Sequence, residues 1–345
     1  MVRIPSPSGS ERELAEFLVS VAGQLGLTAR LDAAGNLVAE TGPPDAPLIL
    51  LLGHLDTVPG QLPVRLADGV LYGRGAVDAK GPLAALLWAA ARTPCPHARI
   101  RVVGAVGEEG TSPGARHLLR GERPDAVVIG EPSGLDSVVL GYKGVLRCLL
   151  EVSRPAAHSS RPEPKAVEVA VEFAHDVLAH LASRASGGRA FERPIATVTS
   201  LAGDATRARV ELACRTPVGF DGAALRAWLA ERAGDDTLTV TEDVPAVRSP
   251  RTDPVVAALS ESIRRQVRPP RAKVKLGTSD MNVVGPVWSV PIAAYGPGDS
   301  RLDHTDEEHL VLADFLKSID VLSHALHLLA QALGRDAARS AVYAC

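Results

Sequence analysis

The sequence contains few cysteines, few aromatic residues and no large excess of either charge. The four cysteines are widely spaced and form no CxxC pair, so neither a disulfide framework nor a thiolate zinc site is expected. The formal net charge of −3 at pH 7 argues against a protein whose main ligand is nucleic acid, because binding to phosphates depends on a strong basic excess. We predict that Cys95, Cys148 and Cys214 are buried as small hydrophobic side chains and that Cys345 is a thiol of the tail.

Long apolar segments are also missing. No run of about 18 apolar residues is present, which excludes the usual pattern of a membrane-spanning helix. The first residues, MVRIPSPSGSERE, do not combine a basic segment with an apolar one as a signal peptide does. We therefore expect a cytoplasmic protein with neither a membrane nor a nucleic acid as its partner.

The composition that is present is that of an ordinary globular protein. Hydrophobic residues make up 46% and charged residues 22% of 345 positions, a length that suggests roughly two domains. In residues 1–140, and again in 249–345, apolar strands alternate with amphipathic helices, as in an α/β sheet. Residues 141–248 instead follow the order strand, helix, strand, strand, helix, strand, which is typical of a ferredoxin-like (βαββαβ) sandwich. We predict a discontinuous α/β domain interrupted by an inserted βαββαβ domain.

Two helices begin and end the predicted α/β domain. Apolar residues recur at helical spacing directly after Ser8–Ser10, and these small polar residues are predicted to cap the first helix. The last helix is predicted over Glu307–Leu333, followed by a frayed tail.

Histidine, aspartate and glutamate residues follow predicted strands or lie in glycine-rich turns. Loops at the carboxyl ends of strands are where α/β sheets build their sites, so we expect these residues to converge. The candidates are His54 and Asp56, Asp78, the pair Glu108 and Glu109, Glu131, and His304. Ordinary turn and capping roles are the alternative for these residues, except for Glu108, which could instead be a solvated neighbour of Glu109.

A cluster of carboxylates repels itself unless cations neutralise it. Histidine and carboxylate ligands without thiolate suit zinc, cobalt or manganese. Two metal ions about 3.5 to 4 Å apart can share one carboxylate and one hydroxide, and the number of candidate ligands fits two. Asp56 lies close enough to His54 in sequence to hold the imidazole and fix its tautomer. In the Glu108–Glu109 pair, one residue can bind metal while the other acts as a general base.

Five motifs resemble those of the M20 family of metallopeptidases and amidohydrolases, in the family's order and over nearly the whole chain. They are GHLDTVPG at 53–60, GRGAVDAKG at 73–81, GEEG at 107–110, GEPSG at 130–134 and GPGDSRLDHTDEEH at 296–309. The resemblance implies a zinc-peptidase-like catalytic domain, with residues 141–248 as its lid and dimerisation domain, and hence a homodimer.

The resemblance also implies a role for each candidate. His54 and Glu131 would bind one divalent metal ion and Glu109 and His304 the other, with Asp78 as the bridging ligand. Zinc is the expected metal and cobalt is the alternative. Asp56 would orient His54, Glu108 would be the general base, and the Asp78–Ala79 peptide bond would be cis.

Further residues are implied to face the substrate. His158 matches a histidine that reaches the partner subunit's active site in dimeric members, although hydrogen bonding within its own loop is the alternative. Arg215 resembles the lid arginine that holds a substrate carboxylate, with a surface ion pair as its alternative. The segment GTSD in the main domain resembles a substrate-binding loop, and for its residues helix capping is the alternative. The candidates in and beside this loop are Thr278, Ser279, Asp280 and Asn282.

Within the family, the phrases GYKG, ELACRTPVGFD and KLGTSDMNVV most resemble LysW-lysine hydrolases. Those enzymes release lysine, and in some lineages ornithine, from the carboxy-terminal glutamate of a small acidic amino-group carrier protein. The resemblance therefore implies a LysW-type carrier as the substrate. Acetylornithine deacetylase, succinyl-diaminopimelate desuccinylase and dipeptidase activities are alternatives with the same metal centre. A non-catalytic dimeric protein that binds an amino-acid derivative is the alternative outside enzymes.

A basic stretch precedes the predicted substrate loop. A solvated surface is the usual role of such a run, and the alternative is an electrostatic guide for an acidic partner. Its residues are Arg264, Arg265, Arg268, Arg271, Lys273 and Lys275.

Overall fold

A computed structural model describes residues 1–185 and 187–343, and of residues 336–343 it describes the backbone; Cys345 lies outside the described residues. The chain divides into two compact units. The first comprises Met1–Gly141, Ser249–Val274 and the chain from Ser279 onward, and the second comprises Tyr142–Arg248 and Lys275–Thr278. The placement of Thr278 in the main domain was wrong, because its contacts group it with the second unit.

Runs of strands are separated by single helices along the chain. The strands are β1 (Thr28–Leu31), β2 (Leu37–Thr41), β3 (Leu48–His54), β4 (Arg65–Ala67), β5 (Val70–Tyr72), β6 (Arg99–Ala105), β7 (Ala126–Ile129), β8 (Ser137–Tyr142), β9 (Gly144–Ser153), β10 (Ile195–Gly203), β11 (Arg207–Thr216), β12 (Thr237–Val244), β13 (Val247–Arg248), β14 (Arg271–Lys275), β15 (Ile292–Ala294) and β16 (His309–Val311). The helices are α1 (Arg12–Gln24), α2 (Lys80–Arg92), α3 (Pro113–Leu118), α4 (Ala166–Ser183), α5 (Gly222–Ala233), α6 (Pro254–Gln266), α7 (Asp280–Trp288) and α8 (Leu312–Tyr343).

The first unit is built on a twisted mixed sheet in which the strands follow the order β1-β2-β6-β3-β7-β15-β8. The strands β6, β3, β7 and β15 run parallel to one another. The outer pairs are antiparallel, since β2 pairs antiparallel with both β1 and β6, and β8 pairs antiparallel with β15. Every residue of β3 is buried, as expected for a strand covered on both faces. Helices α1, α2, α6 and α8 contribute to the hydrophobic core that packs on this sheet.

The second unit has the order β9-α4-β10-β11-α5-β12 and forms an antiparallel sheet with strand order β10-β11-β9-β12. This is the ferredoxin-like arrangement, and the predicted βαββαβ fold is confirmed. Its own hydrophobic core includes Leu150, Phe173, Val210, Leu225 and Leu229. The second unit therefore has the apolar core of an independent domain.

The last helix differs from its prediction at both ends. It begins at Leu312 rather than Glu307, because His309–Val311 form β16 and pair with β5. It continues to Tyr343 instead of ending at Leu333, so the frayed tail predicted for the last residues was wrong for those whose backbone is described.

The three described cysteines, Cys95, Cys148 and Cys214, are buried and unbonded, as predicted. Among the described residues, no helix combines the length and the apolar character needed to cross a bilayer.

Candidate metal centre

Three neighbouring parallel strands deliver most of the candidate site. The register places His54, the last residue of β3, opposite Ala105, the last residue of β6, and places Leu52 opposite Ile129, the last residue of β7. The turns that follow β6 and β7 therefore leave from the same edge of the sheet as His54. Glu108 and Glu109 lie in the first turn and Glu131 in the second.

The candidate ligands form two groups. His54 and Glu131 form one together with Glu108, the predicted base, and Asp78, Glu109 and His304 form the other; within each group the donor atoms lie within 4.8 Å of one another. In the first group His54 Nε2 lies 3.7 Å from Glu131 Oε1. In the second, His304 Nε2 lies 2.9 Å from Glu109 Oε1.

Asp78 joins the two groups. Its Oδ1 lies 3.2 Å from His54 Nε2, and its Oδ2 lies 3.1 Å from His304 Nε2. One carboxylate thus presents a separate oxygen to each imidazole, which is the arrangement that a bridging metal ligand requires. The Asp78–Ala79 peptide bond is cis, as the family resemblance implied.

Asp56 holds both His54 and the turn that carries the glutamate pair. His54 Nδ1 lies 2.9 Å from the backbone oxygen of Asp56 and 3.4 Å from its Oδ1. The Asp56 carboxylate also accepts hydrogen bonds from the backbone N–H groups of Glu108 and Glu109, each at 3.0 Å. With Nδ1 directed at Asp56, Nε2 of His54 is left to face the ligand cluster.

The electrostatics of the cluster suit a cation. Burial alone would lower the pKa of His54, but the contacts with Asp56 and Asp78 outweigh it and raise that pKa well above its ordinary value. Hydrogen bonds to Asp78 and Glu109 raise the pKa of His304 to about 10. The carboxylates thus favour positive charge at both imidazoles, and a divalent metal ion bound to them would supply such charge. The donor set, with imidazoles, carboxylates and no thiolate, fits zinc or cobalt.

Glu108 has the properties of a group that carries a proton. Burial raises the pKa of Glu108 well above its ordinary value, and the negative charges of Glu131, Asp280 and Glu109 add to this effect. A carboxyl group with a raised pKa can accept a proton from water and pass it on near neutral pH.

The residues of the predicted substrate loop have different surroundings. Asp280 lies near enough to Glu108 to influence its pKa, and burial raises the pKa of Asp280 itself to about 6. Ser279 and Asn282 form a capping box at the start of α7: Met281 N donates to the Ser279 hydroxyl at 3.2 Å, and Ser279 N donates to Asn282 Oδ1 at 2.9 Å. The capping alternative is thus observed for this pair, and their contact with substrate stays a prediction.

The candidates in the second unit have fewer partners. His158 is exposed in the loop between β9 and α4, where the hydroxyl of Ser160 bonds to its Nδ1 at 2.8 Å. Arg215 Nη1 donates to Thr278 Oγ1 at 3.2 Å, and burial, followed by the charge of Arg147, lowers the pKa of Arg215. The roles of His158 and Arg215 with substrate stay predictions.

The sequence prediction missed the N-terminal segment as part of the site. Ser8, which was expected to help cap α1, instead donates to Asp56 Oδ2 at 2.7 Å; the N-cap residue is Glu11, whose side chain makes no cap hydrogen bond. Glu11 Oε1 accepts from Gly107 N at 3.1 Å, directly before the glutamate pair. Lys80 Nζ donates to the backbone oxygen of Ile4 at 2.6 Å. Only the proximity of polar residues to a helix start was visible in the sequence, and capping explains that pattern equally well.

The sequence profile of Peptidase family M20/M25/M40 matches residues 50–328, and the chain belongs to this family of hydrolases. Similar proteins include the LysW-lysine hydrolase of Deinococcus radiodurans, which is 41% identical over 94% of this chain and 94% of its own. A protein of Thermococcus kodakarensis, provisionally named a LysW-lysine/LysW-ornithine hydrolase, is 40% identical over 99% of this chain and 93% of its own. The resemblance to the M20 family is therefore confirmed.

Solved structures agree on the fold. A tripeptidase from Staphylococcus aureus superposes with a TM-score of 0.77 at 22% identity and covers 96% of each chain. An M20 family metallo-carboxypeptidase from Sulfolobus solfataricus gives a TM-score of 0.76 at 20% identity and covers 94% of this chain and 96% of its own. The predicted fold class is confirmed by these neighbours.

Proposed function

We propose that this protein is a dinuclear zinc amidohydrolase that releases lysine, and in second place ornithine, from the carboxy-terminal glutamate of a LysW-type carrier protein in amino-acid biosynthesis in the cytoplasm. The observation that carries the proposal is the 41% identity to a LysW-lysine hydrolase over nearly the full length of both chains. The two ligand groups joined by Asp78 support the metal-dependent part of the proposal.

In this proposal His54 and Glu131 would hold one metal ion, Glu109 and His304 would hold the other, and Asp78 would be shared by both. Zinc is proposed and cobalt is the alternative. When bound, the metal ions lower the pKa of water and polarise the amide carbonyl. Glu108 takes the proton from the attacking water and delivers it to the departing amino group, a task that fits its raised pKa.

Two residues of the second unit are assigned to the substrate. Arg215 is proposed to bind a substrate carboxylate, since its guanidinium is largely withdrawn from water and its pKa is lowered by that burial, so an anion would stabilise it. His158 is proposed to reach the active site of a partner subunit and to polarise the carbonyl there. Its exposed position in the loop after β9 leaves it accessible for this role.

A homodimer through the second unit is part of the proposal. Strand β10 is an edge strand of the antiparallel sheet, and exposed edge strands readily pair with another chain. Ile195 and Leu201 of this strand are 39% and 44% exposed, and Val171 of α4 is 49% exposed. Apolar side chains beside an open edge support an interface of this kind.

The basic stretch supports the proposal of an acidic partner, although less directly than the sequence identity does. Arg268 Nε lies 2.6 Å from Asp136 Oδ2, and Arg271 Nη2 lies 2.8 Å from Asp136 Oδ1. Two guanidinium groups share this one carboxylate and stay 63% exposed at their side chains, which leaves a net positive charge there. Such a charge would speed the approach of an acidic carrier.

The proposed substrate is tested by comparing turnover of carrier-linked lysine, carrier-linked ornithine, acetylornithine, succinyl-diaminopimelate and a dipeptide at equal concentrations. A short peptide that ends in the same lysine-modified glutamate separates recognition of the bond from recognition of the carrier. We expect carrier-linked lysine to give the highest kcat/KM. A preference for acetylornithine or for the dipeptide would replace the carrier assignment with that activity.

A further inference from the structure

One buried carboxylate beside the ligand cluster has no role in the mechanism above. Glu308 is only 1% exposed, and it lies four positions after His304 in the sequence. Its two oxygens accept hydrogen bonds from four donors, all within one short segment. These donors are Val77 N at 2.9 Å and Asp78 N at 3.0 Å on Oε1, and Gly75 N at 3.0 Å and Arg74 Nη1 at 3.0 Å on Oε2.

The strand pairing explains why Glu308 reaches this segment. Strands β16 and β5 are antiparallel, and His309, the first residue of β16, lies opposite Tyr72, the last residue of β5. Glu308 directly precedes β16 and Gly73 directly follows β5, so the two residues extend this pairing by one step. Gly73 N donates to the backbone oxygen of Glu308 at 3.2 Å. The chain after β5 then folds around the Glu308 side chain.

Glu308 fixes the backbone of the residue that joins the two ligand groups. The Asp78 N–H is bound to Glu308, while the Asp78 side chain faces His54 on one side and His304 on the other. The direction in which the Asp78 carboxylate points thus depends on the contact that its own N–H makes with Glu308.

The same carboxylate is also tied to the His304 turn. Arg74 Nη1 donates both to Glu308 and to the backbone oxygen of Thr305, at 3.0 Å each. His304 has φ +63°, a left-handed conformation that side-chain-bearing residues rarely adopt, so neighbouring contacts must hold it. Glu308 and Arg74 lie where the Asp78 loop and the His304 turn meet.

We propose that Glu308 is a positioning residue that locks the Asp78 loop to the His304 turn, so that the affinity of the centre for metal depends on it although it binds no metal itself. The inference deepens the proposed function, since it assumes that these residues bind metal. It does not depend on which amide is hydrolysed.

The test compares Glu308→Gln with a matched control, Asp253→Asn. A glutamine amide would turn its NH2 group toward one pair of donors, either Val77 N and Asp78 N or Gly75 N and Arg74 Nη1, and that pair would lose its acceptor. Asp253 is likewise a buried carboxylate that accepts from three backbone N–H groups, those of Val255, Val256 and Ile292. It caps α6 and contacts no candidate ligand, so it reports the cost of losing such an acceptor elsewhere in the same unit.

Metal affinity is measured on metal-free protein by zinc competition with a chromophoric chelator and by the visible absorption of bound cobalt. We expect Glu308→Gln to weaken binding about 10- to 100-fold and to change the cobalt spectrum. Asp253→Asn should keep the affinity and the spectrum of the wild type, even where it lowers the unfolding temperature. Glu308→Asp reaches fewer of the donors and should therefore lose some metal affinity. Because it keeps the negative charge, its loss should be smaller than that of Glu308→Gln.

The proposal would be overturned if Glu308→Gln bound zinc within twofold of the wild-type affinity. It would also be overturned if Asp253→Asn lost as much zinc affinity as Glu308→Gln. If Glu308→Gln does not fold, the same criteria apply to Glu308→Asp, with a wild-type affinity as the overturning result. Absence of stoichiometric metal binding by the wild type would instead reject the proposed function.

Discussion

The candidate metal centre of the first unit and the predicted substrate residues of the second unit differ in how firmly their side chains are held. The Asp56 side chain is fully buried and is bound by Ser8, by the glutamate turn and by His54. His158 is exposed and bonds to Ser160 within its own loop. Metal chemistry requires ligands held in fixed positions, whereas a residue that must meet an incoming substrate or subunit can be left adaptable. In the proposed function, this difference distinguishes a preorganised metal centre from substrate residues whose positions binding would complete.

The largest effect is expected from Glu108→Gln. Loss of the general base should lower kcat by about a factor of 10³ on every hydrolysed substrate, because the amide cannot accept the proton from water. Metal content, measured by elemental analysis, should stay at the wild-type value. Unchanged kinetics, or the absence of hydrolysis in the wild type, would favour a binding protein over an enzyme.

Metal binding should depend steeply on pH. Contacts with carboxylates raise the pKa of His304 to about 10 and that of His54 well above its ordinary value, so we expect both imidazoles to carry an extra proton in the metal-free protein at pH 7. Each must lose a proton to bind metal, and the apparent affinity should therefore rise by about tenfold per displaced proton for each pH unit between pH 6 and 8. Calorimetry in two buffers of different ionisation enthalpy counts the released protons. Binding without proton release would show that these imidazoles are not ligands.

A pair of serines sharpens the comparison between the regions. Ser8 donates to buried Asp56, whereas Ser160 donates to exposed His158. Ser8→Ala should weaken zinc binding or kcat by about tenfold, since outer partners of ligands carry effects of that size. Ser160→Ala should leave zinc affinity within twofold of the wild type and change the unfolding free energy by no more than about 0.5 kcal/mol. Equal effects on zinc affinity would remove the distinction between a preorganised and an adaptable region.

The smallest effect concerns the basic stretch. Replacing Arg264, Arg265 and Arg268 by glutamate should lower kcat/KM for carrier-linked lysine several-fold, up to about tenfold, and more strongly at low salt. Turnover of the short modified peptide serves as the control and should not change. An equal loss on the peptide would attribute the effect to structural damage, for which the contact between Arg268 and Asp136 offers a cause.

Predictions from sequence succeeded where a residue's location follows from its position after a strand. The parallel strands β3, β6 and β7 end together, so His54, Glu109 and Glu131 had to approach one another once these strands were recognised. The fold of the second unit could also be predicted, because its strands and helices follow an order that defines one sheet topology.

Contacts between distant loops could not be predicted in this way. Ser8 precedes a helix and has the composition of a cap, and nothing local reveals that Asp56 competes for its hydroxyl. Glu308 is one of several acidic residues after His304, and only the pairing of β16 with β5 singles it out. β16 itself was missed because three residues next to a long amphipathic helix continue the helical pattern.

The first unit is assembled from three stretches of chain, and this has a consequence for synthesis on the ribosome. His54 emerges early, yet His304 belongs to the last stretch, after the whole of Tyr142–Arg248 has been made. That intervening stretch carries its own hydrophobic core and can fold before His304 has been synthesised. If the proposed function holds, occupancy by two ions is therefore a late event in the life of the nascent polypeptide, because His304 is made last.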